Sequence, residues 1–217
     1  MPNDNQTQII KEALSSFPVF ATHLWHFLRL PNPTPVQYQL ADYLQNGPNR
    51  RIIMAYRGCG KSFLTAGYVL WRLRKNPDTK VLVISAAQDR ADAFSVFCHD
   101  LLRNWFMVQD LFPSDTQRFS KVAFDVFGSN PDQSPCVRSS GIFGQITGSR
   151  ADLIVADDVE TPQSCETQLI RDKLRESIKE FDSVIKPVGE IVFLGTPHTQ
   201  DSIYAKLELA GYTPRIW

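Results

Sequence analysis

Apolar positions along the chain alternate between two periods, which predict strands and helices in turn. Short apolar runs predict buried strands, and the segments between them carry apolar residues at helical spacing. The predicted strands are 51–55, 81–85, 153–156 and 190–195, and 122–127 is compatible with a further one. The predicted helices are 36–44, 61–74, 91–105 and 169–181. Because continuous apolar strands that alternate with helices are typical of a sheet covered on both faces, we predict an α/β fold with a mainly parallel central sheet.

The first thirty residues show helical spacing without a strand. Ile10 and Leu14 lie on one face of a predicted helix, and a second apolar stretch follows with Pro18 as an interruption. A proline-rich connector then leads into the alternating pattern. We therefore predict a helical preface at 1–32 and a main domain at 33–217.

Composition and charge narrow the class of protein. The chain has 217 residues, 43% of them hydrophobic, which is enough for one packed domain. Its 23 basic and 23 acidic side chains cancel, which argues against a protein that coats nucleic acid through net positive charge. The cancellation is uneven, since 51–90 holds eight basic and two acidic side chains whereas 151–217 holds seven and twelve. This gradient matches a site for an anion together with a metal.

Membrane and secretory signals are missing from the sequence. No apolar run approaches the roughly 18–20 residues that cross a bilayer, and the polar N-terminus lacks the order of a secretory signal. The four cysteines form no CxxC pair, which favours reduced thiols. We therefore expect a soluble, non-secreted protein without a membrane partner.

The segment 52–62 (IIMAYRGCGKS) has the arrangement of a P-loop. A buried strand enters a glycine-bearing turn, and the turn opens a helix whose backbone N–H groups can surround a phosphate chain. Lys61 would reach the β- and γ-phosphates, and the Ser62 hydroxyl would coordinate Mg²⁺. Gly58 and Gly60 would let the backbone approach the phosphates. The predicted nucleotide-binding residues of the loop are Tyr56, Arg57, Gly58, Cys59, Gly60, Lys61 and Ser62.

The loop departs from the full P-loop pattern at one position. Ala55 stands where that pattern has its first glycine, and Arg57 adds a second cation beside Lys61. An ordinary solvated turn would explain the lysine and serine but neither the glycines nor Arg57. A dinucleotide fingerprint is disfavoured because the bulky Phe63 stands at its third glycine. The sequence therefore predicts a modified P-loop.

Acidic residues follow the predicted strand 153–156. In a parallel sheet the carboxyl ends of strands face the ligand crevice, so Asp157 and Asp158 are expected near the phosphates. Asp157 would hold Mg²⁺, and either Asp158 or Glu160 would orient and polarise the attacking water. The alternative is that these acids only cap a helix near Thr161.

Thr196 follows the predicted strand 190–195 and reaches the same edge of the sheet. Its hydroxyl could sense the γ-phosphate. The alternative is an ordinary exit from the strand into a turn, in which Gly195 and Pro197 set the chain direction.

Together, these motifs resemble those of the large terminase family, the DNA-packaging motors of tailed bacteriophages, with the short-tailed podovirus type most similar. The matching segments are PTPVQ (33–37), AYRGCGKS (55–62), GQITGSRADLIVADD (144–158) and LGTP (194–197). They resemble, in order, an adenine-recognising Q motif, a modified Walker A, the run into Walker B and a coupling motif. The resemblance covers about residues 33–200 and implies a three-layer P-loop NTPase of the ASCE/RecA-like class.

The resemblance also implies an activity and partners. Hydrolysis of ATP with Mg²⁺ would drive double-stranded DNA into a procapsid through the portal protein. The small terminase subunit would take part, and the chain would form a homo-oligomeric ring in the cytoplasm of the bacterial host. Large terminases carry a C-terminal nuclease domain, for which a chain ending at Trp217 has no room, so nuclease activity is not expected.

Further site residues come from the resemblance alone. Gln37 would bind adenine, and its alternative is an ordinary helix-surface glutamine just after a proline. Arg150 would serve as an arginine finger for a neighbouring subunit, with Arg138 as a rival. The alternative for Arg150 is a salt bridge with Asp152. The family usually has glutamate directly after the Walker B aspartate, where this chain has an aspartate, so the general base stays open between the two acids named above.

Two other functions are compatible with the motifs. The chain could be the first motor domain of a helicase-type ATPase, although such enzymes need a second motor domain. It could also be a nucleotide-binding adaptor that does not hydrolyse ATP. The acids at 157–160 weigh against the adaptor, because a switch need not position water.

Overall fold

The computed structural model describes residues 4–162, 166–196 and 202–217. The helices are α1 (Asp4–Ser15), α2 (Phe17–Phe27), α3 (Pro35–Asn46), α4 (Lys61–Lys75), α5 (Gln88–Asn104), α6 (Gln168–Lys179), α7 (Phe181–Val184) and α8 (Ile203–Leu209). The strands are β1 (Arg50–Met54), β2 (Val81–Ser85), β3 (Ala123–Phe124), β4 (Val137–Gly141), β5 (Ala151–Asp157), β6 (Ile185–Gly195) and β7 (Thr213–Ile216).

The strands form one seven-stranded sheet in the order β3-β4-β2-β5-β6-β1-β7. Every neighbouring pair is parallel except β3 and β4. Asp157 pairs with Leu194 and Met54 pairs with Gly195, so β1, β5 and β6 end side by side. The structure confirms the predicted α/β fold with a mainly parallel sheet.

Helices cover both faces of this sheet. Successive residues of β1 point to opposite faces, so Ile53 packs in the cluster that contains α1–α5, whereas Ile52 packs in the cluster that contains α6–α8. Both isoleucines are 0% exposed. Burial on both faces explains why the central strands read as continuous apolar runs. Within the described ranges, no helix is long and apolar enough to cross a membrane.

β4 was not predicted, because its sequence VRSSG looks like a polar loop. The structure buries its serines, and the Ser139 hydroxyl forms a 2.5 Å hydrogen bond with the hydroxyl of Ser95 on α5. Hydrogen bonding to a neighbouring helix therefore replaces apolar packing. A strand of this kind has no hydrophobic pattern by which the sequence could reveal it. α8 and β7 were also not predicted.

The predicted preface packs against the main core. Phe17 meets the ring of Tyr68 on α4 edge-on at 5.1 Å, and Phe20 meets Trp105 in the same way at 4.8 Å. Pro18 does not interrupt α2, because it lies in the first turn, where proline is tolerated. The boundary after residue 32 stays a prediction, but α2 is part of the packing that supports α4.

A partly buried ion cluster joins β1, β6 and α4 at the edge where β1 begins. Arg51 is 0% exposed and donates to Glu190 at 2.8 Å, and Arg72 donates to the other carboxylate oxygen at 2.5 Å. Burial alone would raise the pKa of Glu190, but Arg72 and Arg51 hold it below its usual value. This cluster stabilises the fold far from the strand ends that carry the predicted site residues.

His99 on α5 belongs to an aromatic cluster. Its ring stacks on Phe119 at 3.9 Å and meets Phe124 edge-on at 4.9 Å. Nε2 is buried and accepts or donates no hydrogen bond among the described residues. Burial, followed by Arg103, lowers the pKa of His99, and Asp100 acts in the opposite direction.

We expect the cluster to make stability depend on pH. The pKa of His99 is lower in the folded chain than in the unfolded one. The contribution of neutral His99 to the free energy of unfolding is therefore complete above about pH 6.5 and is lost as the pH falls below that value. Melting temperatures between pH 5 and 8 should fall less towards acid for His99→Phe than for wild type. His23, whose pKa is also lowered, titrates in both proteins and cancels. Parallel curves would contradict this role.

Candidate active site

A cavity of about 600 Å³ opens at the carboxyl ends of β1, β5 and β6. Its lining contains Arg57, Gly58, Gly60, Lys61, Ser62, Phe63, Asp158 and Thr196. The parallel pairing of the strands explains how residues far apart in the sequence meet at this edge. The cavity joins the predicted P-loop, one predicted catalytic acid and the predicted sensor.

The predicted P-loop adopts a turn that requires glycine at two positions. Gly58 and Gly60 have φ angles of +87° and +85°, in the left-handed region. Ala55 is not among the described residues with positive φ, so alanine carries no torsional cost there. The missing first glycine is therefore compatible with the loop.

Lys61 is folded back onto its own loop. Its Nζ donates to the Ala55 carbonyl at 2.6 Å and to the Tyr56 carbonyl at 3.1 Å, and the residue is 8% exposed. The Thr196 hydroxyl donates to the same Ala55 carbonyl at 3.3 Å. Lys61 must leave these carbonyls to contact a phosphate. The Thr196 hydroxyl would then no longer share the Ala55 carbonyl with Lys61. Pro197, the next residue of the coupling motif, lies outside the described residues.

Asp157 and Ser62 provide ligands that fit Mg²⁺. Oδ1 of Asp157 is buried without a hydrogen-bond partner among the described residues. Burial, and then Asp158, raises the pKa of Asp157 to about 6, while Lys61, Arg90 and a hydrogen bond from Ser62 act in the opposite direction. A cation at this point would satisfy the buried oxygen and keep both acids ionised.

The residues that the structure describes form no cluster of three or more histidine, cysteine or acidic side chains arranged for a metal. A Mg²⁺ site does not need such a cluster, because Mg²⁺ usually takes one or two carboxylates and completes its shell with water and substrate phosphates. A hydroxyl from Ser62 and one carboxylate from Asp157 suit such a site.

The two candidate bases lie in different surroundings. Asp158 lines the cavity and has a φ of +46°, a left-handed conformation that aspartate tolerates better than most residues. Glu160 is 2% exposed; its Oε2 accepts from the Ile203 N–H at 2.6 Å, and both its oxygens accept from the Ser202 hydroxyl at 3.0 Å. Its carboxylate therefore caps the start of α8, whereas Asp158 faces the cavity.

Gln37 connects the start of α3 to the predicted P-loop. Its Oε1 accepts from the Thr34 N–H at 2.7 Å, and its Nε2 donates to the Cys59 carbonyl at 3.0 Å. The side-chain amide therefore contacts the loop directly. Adenine recognition by Gln37 stays a prediction.

The two candidate arginine fingers lie away from the cavity. Arg150 is exposed and directly precedes β5, whose other end carries Asp157, roughly 20 Å away at the usual rise of a strand. Asp152 pairs with Lys186 at 2.9 Å rather than with Arg150. Arg138 donates to the Ser149 hydroxyl at 2.7 Å and to the Gln145 carbonyl at 2.9 Å. Either arginine could act only on a neighbouring subunit, which stays a prediction.

Sequence reasoning missed two residues beside the cavity. Arg90, on the first turn of α5, lines an adjoining cavity of about 320 Å³ together with Asp157. Trp25 of α2 lies under the loop, so that a Cβ on Gly60 would be 2.9 Å from its ring. The end of β2 could have pointed to Arg90, because α5 starts at the same edge of the sheet. No local signal connects Trp25 with a loop 35 residues later.

Comparison with known proteins confirms the predicted resemblance. The large terminase subunit of Enterobacteria phage T3 is 43% identical to this chain over 213 residues, which are 96% of this chain and 36% of that protein. The match confirms that the chain resembles the large terminase family along nearly its whole length. The chain spans little more than a third of the length of this terminase relative. No protein-family model matches the chain.

Solved structures of terminase and helicase domains share the fold. The large terminase ATPase domain of Thermus phage P74-26 has a TM-score of 0.52 at 14% identity, covering 82% of this chain and 69% of that one. The N-terminal domain of the bacteriophage phi29 DNA packaging ATPase has 0.50 at 14%, covering 74% and 81%. The DEAD-box helicase Mss116 has 0.60 at 14%, covering 92% and 42%. These likenesses confirm the P-loop ATPase fold of this chain.

Proposed function

We propose that this chain hydrolyses ATP with Mg²⁺ and that hydrolysis drives the packaging of double-stranded viral DNA. The observation that carries the proposal is the meeting of Lys61, Asp158 and the Ser62–Asp157 pair at one edge of the sheet. A phosphate-binding lysine, a Mg²⁺ site and a free carboxylate are the groups that phosphoryl transfer to water needs. Similarity to a large terminase subunit supports packaging as the purpose of that hydrolysis.

Each side chain has a defined part in this proposal. Lys61 leaves the Ala55 carbonyl and donates to the terminal phosphates of ATP. Ser62 and Asp157 hold Mg²⁺, which supplies positive charge to the phosphate oxygens. Asp158 orients the attacking water and accepts its proton, and Thr196 senses the γ-phosphate through the carbonyl that it shares with Lys61. Arg57, which lines the cavity, supplies a further cation for the developing charge.

The partners follow from the family. Double-stranded DNA, the portal protein and the small terminase subunit are the proposed partners, and the site of action is the procapsid portal in the host cytoplasm. A homo-oligomeric ring would bring Arg150 of one subunit to the cavity of the next. The zero net charge does not oppose DNA binding, because a ring can hold DNA with a few local cations per subunit.

An ATPase assay on the chain and its Lys61→Ala variant tests the proposed activity. We expect wild type to release phosphate from ATP only with Mg²⁺, and we expect Lys61→Ala to lower the rate at least tenfold, because the phosphates lose their buried ammonium donor. Lys11→Ala makes the same change on an exposed part of α1 and should leave the rate unchanged. Equal rates for wild type and Lys61→Ala would refute hydrolysis at this site. ATP binding by wild type without phosphate release would favour a nucleotide-binding adaptor.

A further inference from the structure

Tyr204, in the first turn of α8, is a buried tyrosine whose hydroxyl proton has no acceptor among the described residues. The residue is 1% exposed, and the contact of its hydroxyl with the Glu160 backbone N–H leaves that proton unused. A buried donor without an acceptor costs stability that a phenylalanine would not cost. The presence of tyrosine therefore calls for a partner that arrives in another state of the site.

The Tyr204 hydroxyl lies beneath the strand ends that form the cavity. A Cβ on Gly195 would be 1.8 Å from it, so the hydroxyl packs against the backbone of the residue before Thr196. Directly after β5, the next strand, the Asp158 N–H donates to the Leu194 carbonyl at 2.8 Å. The hydroxyl is thus placed where the predicted coupling motif meets the acids.

Two contacts fix the turn of α8 that carries Tyr204. Glu160 accepts from Ser202 and Ile203, as described above, and the Ser202 hydroxyl in turn accepts from the Tyr204 N–H at 3.2 Å. The phenol ring is therefore anchored on the chain segment that also carries Asp158. An anchored ring can hold its hydroxyl in one direction without a large loss of side-chain entropy.

The surrounding charges favour a hydrogen bond donated by this hydroxyl. Burial, and then Asp158, Glu160 and Asp157, raise the pKa of Tyr204, while a hydrogen bond from the Glu160 backbone acts in the opposite direction. The pKa stays raised, so the phenol keeps its proton. A protonated phenol beside a carboxylate is a donor, and the resulting hydrogen bond to a charged acceptor is strong. Glu160 already has its acceptors engaged by α8, and Asp157 is the proposed Mg²⁺ ligand. Asp158 is the acid best suited to accept.

We propose that Tyr204 is a positioning residue for hydrolysis: its hydroxyl donates to the Asp158 carboxylate when ATP enters the cavity. The inference rests on the proposed function, because it concerns the acid that orients the attacking water. Without nucleotide the hydroxyl proton has no acceptor in the part of the chain that the structure describes. In its presence the hydroxyl fixes one oxygen of Asp158, so that the other faces the water.

Tyr204→Phe removes the hydroxyl and leaves the ring, so it tests this role. We expect kcat for ATP to fall roughly ten- to a hundred-fold, as misplacement of a reacting group does, while KM stays within about twofold of wild type. The melting temperature should stay close to that of wild type, because the hydroxyl proton has no acceptor to lose among the described residues. Tyr212→Phe is the matched control, since Tyr212 packs edge-on against Phe193 in the same layer but takes no part in the site.

The outcomes separate this inference from the proposed function. A Tyr204→Phe protein with wild-type kcat, while Lys61→Ala is impaired, overturns only the role of Tyr204. A lowered melting temperature also overturns it, because the hydroxyl would then be structural. Affinity for Mg-ADP-aluminium fluoride gives a readout without turnover, and the variant should bind it more weakly than wild type but bind Mg-ADP equally. A wild type that neither hydrolyses ATP nor binds the fluoride complex overturns both proposals.

Discussion

Asp158→Asn is expected to lower ATP hydrolysis by about a thousand-fold, because an amide cannot accept the proton of the attacking water. ATP should bind as tightly as before or more tightly, since the change removes a negative charge from the cavity that holds the phosphates. Asparagine suits this test because it tolerates left-handed torsions, and Asp158 has a φ of +46°. Single-turnover phosphate release and ATP affinity measure the two effects separately.

Glu160→Gln is the matched change at the other acid, and we expect a different result. Its carboxylate accepts from Ser202 and from the Ile203 N–H, so the amide should weaken the start of α8 and lower the free energy of unfolding by about 1–2 kcal/mol. The rate of hydrolysis should stay within about tenfold of wild type, well above the rate of Asp158→Asn. If Glu160→Gln binds ATP without turnover while Asp158→Asn stays active, the base is Glu160.

The sequence predicts those strands whose side chains are apolar on both faces of the sheet. β2 was predicted at its observed bounds because all five of its residues are apolar or buried. β4 was missed because Ser139 and Ser140 are buried through hydrogen bonds rather than as apolar groups. β7 was missed because only one of its residues is even half-buried, which leaves no hydrophobic pattern to detect.

The candidate site shows the same division. Lys61, Ser62 and Asp157 follow strand ends within short motifs, so their spacing alone predicts that they meet. Tyr204 and Trp25 reach the site by packing from α8 and α2, and neither helix contains a motif. Contacts between distant segments depend on how the helices pack on the sheet. The hydrophobic periodicity of the sequence does not contain that information. The supporting residues of the site were therefore found only in the structure.

Gly60→Ala is expected to weaken ATP binding more than a hundred-fold, for two separate reasons. Gly60 has a φ of +85°, which costs an alanine about 1–2 kcal/mol. Its new Cβ would also lie 2.9 Å from the Trp25 ring, and overpacking of this kind costs about 1–3 kcal/mol. The two costs together are about 3 kcal/mol. Because each 1.4 kcal/mol lowers the affinity about tenfold, the expected loss exceeds a hundred-fold. Titration with a fluorescent ATP analogue measures the loss.

Gly58→Ala separates the two costs. Gly58 has a φ of +87°, nearly the same as Gly60, but a Cβ there would meet nothing within 4 Å. We expect about a tenfold loss of affinity from the torsion alone. Equal losses for the two variants would show that Trp25 does not support the loop.

A double variant then tests the ring directly. Trp25 is held by burial at 3% exposure and by an edge-on contact with Phe63 at 6.2 Å, so it cannot turn away from the new methyl group. Trp25→Phe shortens the ring, and in the Gly60→Ala background it should recover part of the lost affinity although it lowers affinity by itself. Such coupling in a double-mutant cycle would make α2 a functional support of the phosphate loop. Additive losses would leave Trp25 as a core residue only.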